Sequence, residues 1–195
     1  GHDQAMLIAD NLNMDHHFHA ATQVAEEKFG DAILSTYPMR LIKKEKFLKE
    51  TRFSALEPRG ALWVEIDFNG TFVQIINTHL GLHHKERLLH TEELLGENWL
   101  KHSKCKNPVI LCGDFNALPG SKVLKALRTS LVSAGEKAGR KRHRGTWFGR
   151  FPFACVDYVF VRPDFEVTRM EVGDSYLARI ASDHRPLITE IKLRL

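Results

Sequence analysis

The sequence has little of what marks several protein classes. Its three cysteines, Cys105, Cys112 and Cys155, are odd in number and lack paired metal-ligand spacing, which argues against a disulfide framework or a zinc knuckle. They suit a reducing compartment, and the expected location is cytoplasmic. No apolar run reaches the roughly 18 residues of a membrane-spanning helix, because Lys, Arg, Asp or Glu interrupts each one. The opening Gly1-His2-Asp3-Gln4 lacks the basic-then-apolar pattern of a secretory signal. Neither an internal repeat nor a linker divides the chain. What is present is 43% hydrophobic and 27% charged residues in a chain of 195. That suffices for a core and sits in the range of one domain, roughly 100–200 residues.

The net charge of +4 is local. Lys137, Arg140, Lys141, Arg142, Arg144 and Arg150 stand against Glu136 alone, so the basicity lies in the stretch 137–150 and the rest is near neutral. Such a loop suits a polyanion, a nucleic-acid backbone or an anionic lipid headgroup, and equally a solvated surface.

Apolar spacing predicts a helix from Asp3 to Leu12, with Asp3 as cap. Amphipathic helices are expected at Lys85 to His102 and Lys122 to Leu131. Strands are predicted at Asp15 to Ala21, Asp31 to Ser35, Ala61 to Phe68, Phe72 to His79, Val109 to Asp114, Val156 to Val161, Glu166 to Val172 and Leu187 to Leu193. Asn69-Gly70 marks Ala61 to His79 as a β-hairpin. Hairpins mixed with helices point to an α+β protein with mixed sheets rather than a doubly wound fold. His16, His17 and His19 read as surface residues of a strand.

Four segments place acid, amide or imidazole groups at the end of an apolar strand: Asn77-Thr78-His79, Gly113-Asp114-Phe115-Asn116, Val156-Asp157-Tyr158 and Ser182-Asp183-His184-Arg185. Rigid scaffolds carry reactive groups at such places. Singly, each has an ordinary explanation. Asp-Phe-Asn makes a turn in which Asp and Asn bond their own backbone, and Ser-Asp-His before Pro makes another.

Together, in this order and spacing, the segments resemble the endonuclease/exonuclease/phosphatase superfamily, and its bacterial metal-dependent hydrolases in particular. Gly30-Asp31-Ala32-Ile33-Leu34-Ser35-Thr36-Tyr37-Pro38 is similar to the family strand G-N-A-I-L-S-R-Y-P, with Asp where the motif has Asn. Arg59-Gly60-Ala61-Leu62 and Thr146-Trp147 are further matches. The resemblance implies a DNase I-like α/β sandwich of two packed mixed sheets flanked by helices. Residues 1–195 would form one domain without the family's opening strands, which carry an Asn and a metal-binding Glu.

The resemblance also implies roles. Asp157 pairs with His184, which takes a proton from water or holds charge against phosphate. Asp114 orients or deprotonates the water, and Asn116 donates to a phosphate oxygen. His79 stands opposite as a phosphate donor or leaving-group acid. Asp114, Asn116 and Asp183 form the metal environment, and hard oxygen donors favour Mg²⁺ or Mn²⁺ over zinc. Arg59, Arg144 and Trp147 are the expected substrate-binding residues. Trp147 and Phe148, beside the basic run, suit stacked bases or the core, while Phe151-Pro152-Phe153 suits a lipid surface. The leading expectation is a Mg²⁺-dependent phosphoester hydrolase. A catalytically incomplete family member and a polyanion-binding module using the loop 137–150 are the alternatives.

Overall fold

The computed structural model describes residues 3–47, 58–106, 108–139 and 144–193; Arg140, Lys141 and Arg142 of the basic loop lie outside the described residues. The first helix, α1 (Gln4–Leu12), is capped as expected: Asp3 Oδ1 accepts from the Met6 amide at 3.0 Å, and Asn13 ends it in the left-handed region. Strands β1 (Asp15–Val24) and β2 (Glu27–Ser35) form an antiparallel pair. The strands β3 (Met39–Lys46), β4 (Gly60–Phe68), β5 (Thr71–His79), β6 (Val109–Asp114), β7 (Val132–Ser133) and β8 (Asp157–Val161) build a six-stranded sheet in the order β3-β4-β5-β6-β8-β7. Only β5 and β6 run parallel. The antiparallel pair β9 (Phe165–Val172) and β10 (Leu187–Leu193) follows.

Period-two alternation sorts the large sheet's side chains into two faces. Ala61, Trp63, Ile76, Leu111, Tyr158 and Phe160 point to one, against helices α2 (His84–Leu94) and α3 (Lys122–Leu127). Leu62, Val64, Ile75, Ile110 and Val159 point to the other, where β1–β2 and β9–β10 pack as the second layer. This is the α+β sandwich that the sequence predicts. The short helices α4 (Ala134–Lys137) and α5 (Tyr176–Ile180) complete the elements.

Some boundaries differ. The helix expected over Lys85 to His102 stops at Leu94; turns centred on Gly96 replace it, yet Trp99 and Leu100 still enter the core, which kept the apolar period running. Likewise α3 ends at Leu127 and turns carry the chain to Leu131. Strand β3 escaped the sequence reading because Lys43, Lys44, Glu45 and Lys46 mask its pattern, as befits an edge strand. His19 is buried, not on the surface: its ring packs on Gly60 at the start of β4. Among the described residues, no helix is long and apolar enough to cross a membrane.

Candidate active site

Strand register assembles the site. The parallel pairing of β5 with β6 sets His79 beside Asp114, and the antiparallel pairing of β6 with β8 sets Asp114 beside Asp157. All three share the parity of Ile75, Ile110 and Val159, so they form a row facing the second layer at the rim of the sandwich. Gly113 lets this happen. Its φ is +136°, and a Cβ there would lie 1.9 Å from the Thr78 carbonyl oxygen, so only glycine permits the approach of β5 and β6 just before Asp114.

The fourth group arrives from a loop. His184 precedes β10 and pairs with Trp147 in an isolated bridge, while the Arg185 amide donates to the Thr146 carbonyl at 2.7 Å. Thr146 is fully buried, and its Oγ1 accepts from the Val156 and Asp157 amides, both at 3.3 Å. One threonine therefore anchors both members of the His184–Asp157 pair.

Asp114 lies at the centre. Its Oδ1 accepts from the Asn116 amide at 2.7 Å, an Asx turn, with Asn116 at φ +48°. Its Oδ2 lies 3.2 Å from His79 Nε2 and 3.8 Å from His184 Nε2. The turn that the sequence suggests for Asp-Phe-Asn forms on Oδ1, while Oδ2 faces the two histidines. Asn116 Nδ2 donates to the Leu80 carbonyl at 2.9 Å and lies 3.1 Å from His79 Nε2. Burial alone would push the Asp114 carboxyl up; hydrogen bonds from His79 and the Asn116 amide, with the electrostatic influence of the two histidines, hold it below the usual range.

The histidines differ in their partners. His184 Nδ1 donates to Asp157 Oδ2 at 2.9 Å. Burial opposes its charged form, but that bond and the charges of Asp157, Asp114 and Asp183 raise it above the ordinary 6.5. Arg59 Nη1 lies 3.0 Å from His79 Nδ1. A guanidinium can only donate, so Nδ1 accepts and the ring proton resides on Nε2, aimed at Asp114.

His79, Asp114, Asn116, Asp157, His184 and Arg59 are therefore brought together. Asp183 is exposed, its Oδ1 accepts from Ser182 Oγ at 3.4 Å, and it stands outside the metal-capable group, which is Asp114, Asp157 and His184 with ligand atoms within 4.8 Å of one another. Arg144 lies toward Asp174, away from the row. Lys137 donates to the Pro163 carbonyl at 2.7 Å and to that of Phe165, so it is engaged structurally. Trp147 is half-buried between Phe148 and Phe153, and Phe148 is exposed. Sequence reasoning gave no role to Asp31, which is buried near His79 and Arg59. Its one signal was the Asp in place of the motif's Asn.

The family model described as "Endonuclease/Exonuclease/phosphatase family" matches residues 2–184. The chain is a member of that family. Solved structures agree on the fold. An endonuclease/exonuclease/phosphatase from Bacteroides vulgatus has a TM-score of 0.78 and 18% identity, over 98% of this chain and 81% of that one. A mannosyl-6-phosphatase from Bacteroides thetaiotaomicron has a TM-score of 0.74 and 23% identity, over 97% and 81%. The D. rerio TDP2 complexed with a single-strand DNA product has a TM-score of 0.68 and 18% identity, over 96% and 80%. No match was found among curated protein sequences.

Proposed function

We propose that this family member hydrolyses phosphate esters by attack of water on phosphorus. The observation that carries the reading is the continuous pairing Asp157–His184, His184–Asp114 and Asp114–His79 along one sheet rim. Hydrolysis needs an oriented water, neutralisation of the equatorial oxygens and a donor for the leaving oxygen.

Asp114, held ionised, orients the water and accepts its proton. His184, whose protonated form Asp157 favours, would place positive charge and an N–H against the phosphate. His79 presents Nε2–H from the opposite side, the position of a leaving-group donor. The Asn116 amide supplies a further donor. The carboxylates of Asp114 and Asp157 have the donor type and spacing to hold a divalent cation, with Mg²⁺ or Mn²⁺ the fitting choice, and His184 would join them only as the neutral imidazole. Bound there, the cation supplies positive charge for the equatorial oxygens. Asn116 and Asp183 are further candidate ligands, and Trp147 a substrate contact. The free cysteines suit a reducing location.

The test is a panel of phosphomonoesters and phosphodiesters assayed with Mg²⁺ and Mn²⁺, alongside calorimetric titration of the cation. Cation-dependent release of alcohol from at least one ester is expected. Cation binding with no turnover on any of them favours the catalytically incomplete reading instead.

A further inference from the structure

The edge of His79 turned away from Asp114 opens on a second cavity of about 230 Å³, whose lining includes Thr22, Phe29, Asp31, Pro58, Arg59 and His79. That is below the roughly 300–1,000 Å³ of pockets that take drug-sized ligands, so one ring fits and two do not. Asp31 comes from β2 on the same face as Ile33, and it is only 6% exposed. Its Oδ2 is buried and has no hydrogen-bond partner among the described residues. Burial pushes the carboxyl up to about 7, against the opposing influence of His79 and Arg59. The molecule satisfies comparable groups elsewhere. Gln74, 3% exposed, accepts from Trp63 Nε1 and donates to Glu65 Oε2, both at 2.8 Å. Burying a carboxyl without donors costs stability, and the part of Asp31 that stays exposed lines the cavity, where a ligand group can supply a partner.

The neighbours say what that partner is. Arg59 can only donate, while Asp31 accepts when ionised and donates when protonated. An ammonium or metal cation would meet the guanidinium, and a phosphate or carboxylate would meet the ionised form of Asp31. A hydroxyl suits Arg59 and either form of Asp31, because it both donates and accepts. Phe29, half-exposed, adds an aromatic wall for the carbon face of a ring.

We propose that this cavity is a subsite for a sugar ring of the substrate, in which Asp31 and Arg59 grip one hydroxyl and Phe29 flanks the ring. The assignment rests on the phosphoester reading, since His79 is the wall common to the subsite and the reacting centre. A hexose and a ribose share this hydroxyl chemistry.

The experiment compares the wild-type protein with Asp31→Ala and Phe29→Ala. The substrates are a hexose 6-phosphate, a ribodinucleotide, the matching deoxyribodinucleotide and 4-nitrophenyl phosphate. For Asp31→Ala, kcat/KM on the sugar ester relative to the nitrophenyl ester falls at least tenfold, carried by KM; Phe29→Ala lowers the ratio less. A loss confined to the hexose ester assigns the subsite to a monosaccharide, and one confined to the ribodinucleotide assigns it to ribose. Equal proportional losses on every ester, or no loss, overturn the proposal. Binding separates it from the hydrolase reading. In NMR titrations, hexose 6-phosphate or the ribodinucleotide shifts Phe29 and Thr22 signals in the wild type and not in Asp31→Ala, and inorganic phosphate shifts neither. Absent shifts, or shifts with inorganic phosphate alone, overturn the subsite whether or not the protein turns over.

Discussion

The two edges of the His79 ring face different surroundings. On the Nε2 side, Asp114, Asn116, His184 and Asp157 bond one another, and each carboxylate has a defined partner. On the Nδ1 side, Arg59 bonds the ring, yet Asp31 sits buried with an oxygen unpaired. The first is a preorganised network in which hydrogen bonds fix protonation and direction. The second leaves an acceptor unpaired among the described residues, the feature on which the proposed subsite rests. In the proposed reading, preorganisation serves the reacting centre and the unmet acceptor serves recognition.

The largest effect comes from breaking the networked side. His184→Ala is expected to lower kcat for a phosphate ester by roughly 10²–10⁴-fold, the range of a general acid–base group. The half-buried side chain leaves the fold intact, and initial rates with a thermal melt check both.

Next is the backbone beneath the network. Gly113→Ala would set its Cβ 1.9 Å from the Thr78 oxygen at a φ of +136°. It should destabilise by about 3 kcal/mol, the scale of a severe backbone or packing lesion, as read by urea unfolding.

A sharper probe is protonation. In Asp157→Asn, the main group that raises His184 is lost while burial remains, so its pKa should fall relative to the wild type, measured by NMR titration. The sign for stability follows. Because the folded value is raised, the pair's stabilisation is complete below the unfolded 6.5 and is lost as pH rises through the folded value. Asp157→Asn should flatten that window.

The smallest expected effect lies on the unpaired side. Asp31 titrates at about 7 in the fold against 3.8 unfolded, so wild-type stability relative to acid falls as pH rises between those values. Asp31→Ala should therefore be the more stable protein at pH 8, by on the order of 1–2 kcal/mol once local relaxation is allowed for. Chemical unfolding at pH 5 and pH 8 checks the sign.

These contrasts also explain what was legible in the sequence. Period-two alternation and Asn69-Gly70 gave β4 and β5, because both signals are local. His79, Asp114, Asp157 and His184 stood out as polar groups ending apolar strands, and the family resemblance supplied their partnership. Arg59's hold on His79 Nδ1 was not visible, because it joins residues 20 apart whose proximity comes from β4–β5 pairing. Thr146 looks like any strand-edge threonine until tertiary structure turns two amides toward it. Asp31 was hidden for a further reason: an acid in a strand reads as surface, and only packing of the second layer buries it. In the basic stretch, Lys137 donates to backbone carbonyls and Arg144 lies near Asp174, engagements that composition alone does not show.

The most direct measurement is the rate of phosphate-ester hydrolysis by the wild type and by Asp114→Asn, each with Mg²⁺ or Mn²⁺ and again with excess chelator. The networked rim predicts cation-dependent turnover in the wild type and a loss of at least a hundredfold in Asp114→Asn, with cation binding weakened. Equal rates in the two proteins, or turnover indifferent to the chelator, would contradict the assignment of the Asp114 network as the reacting centre.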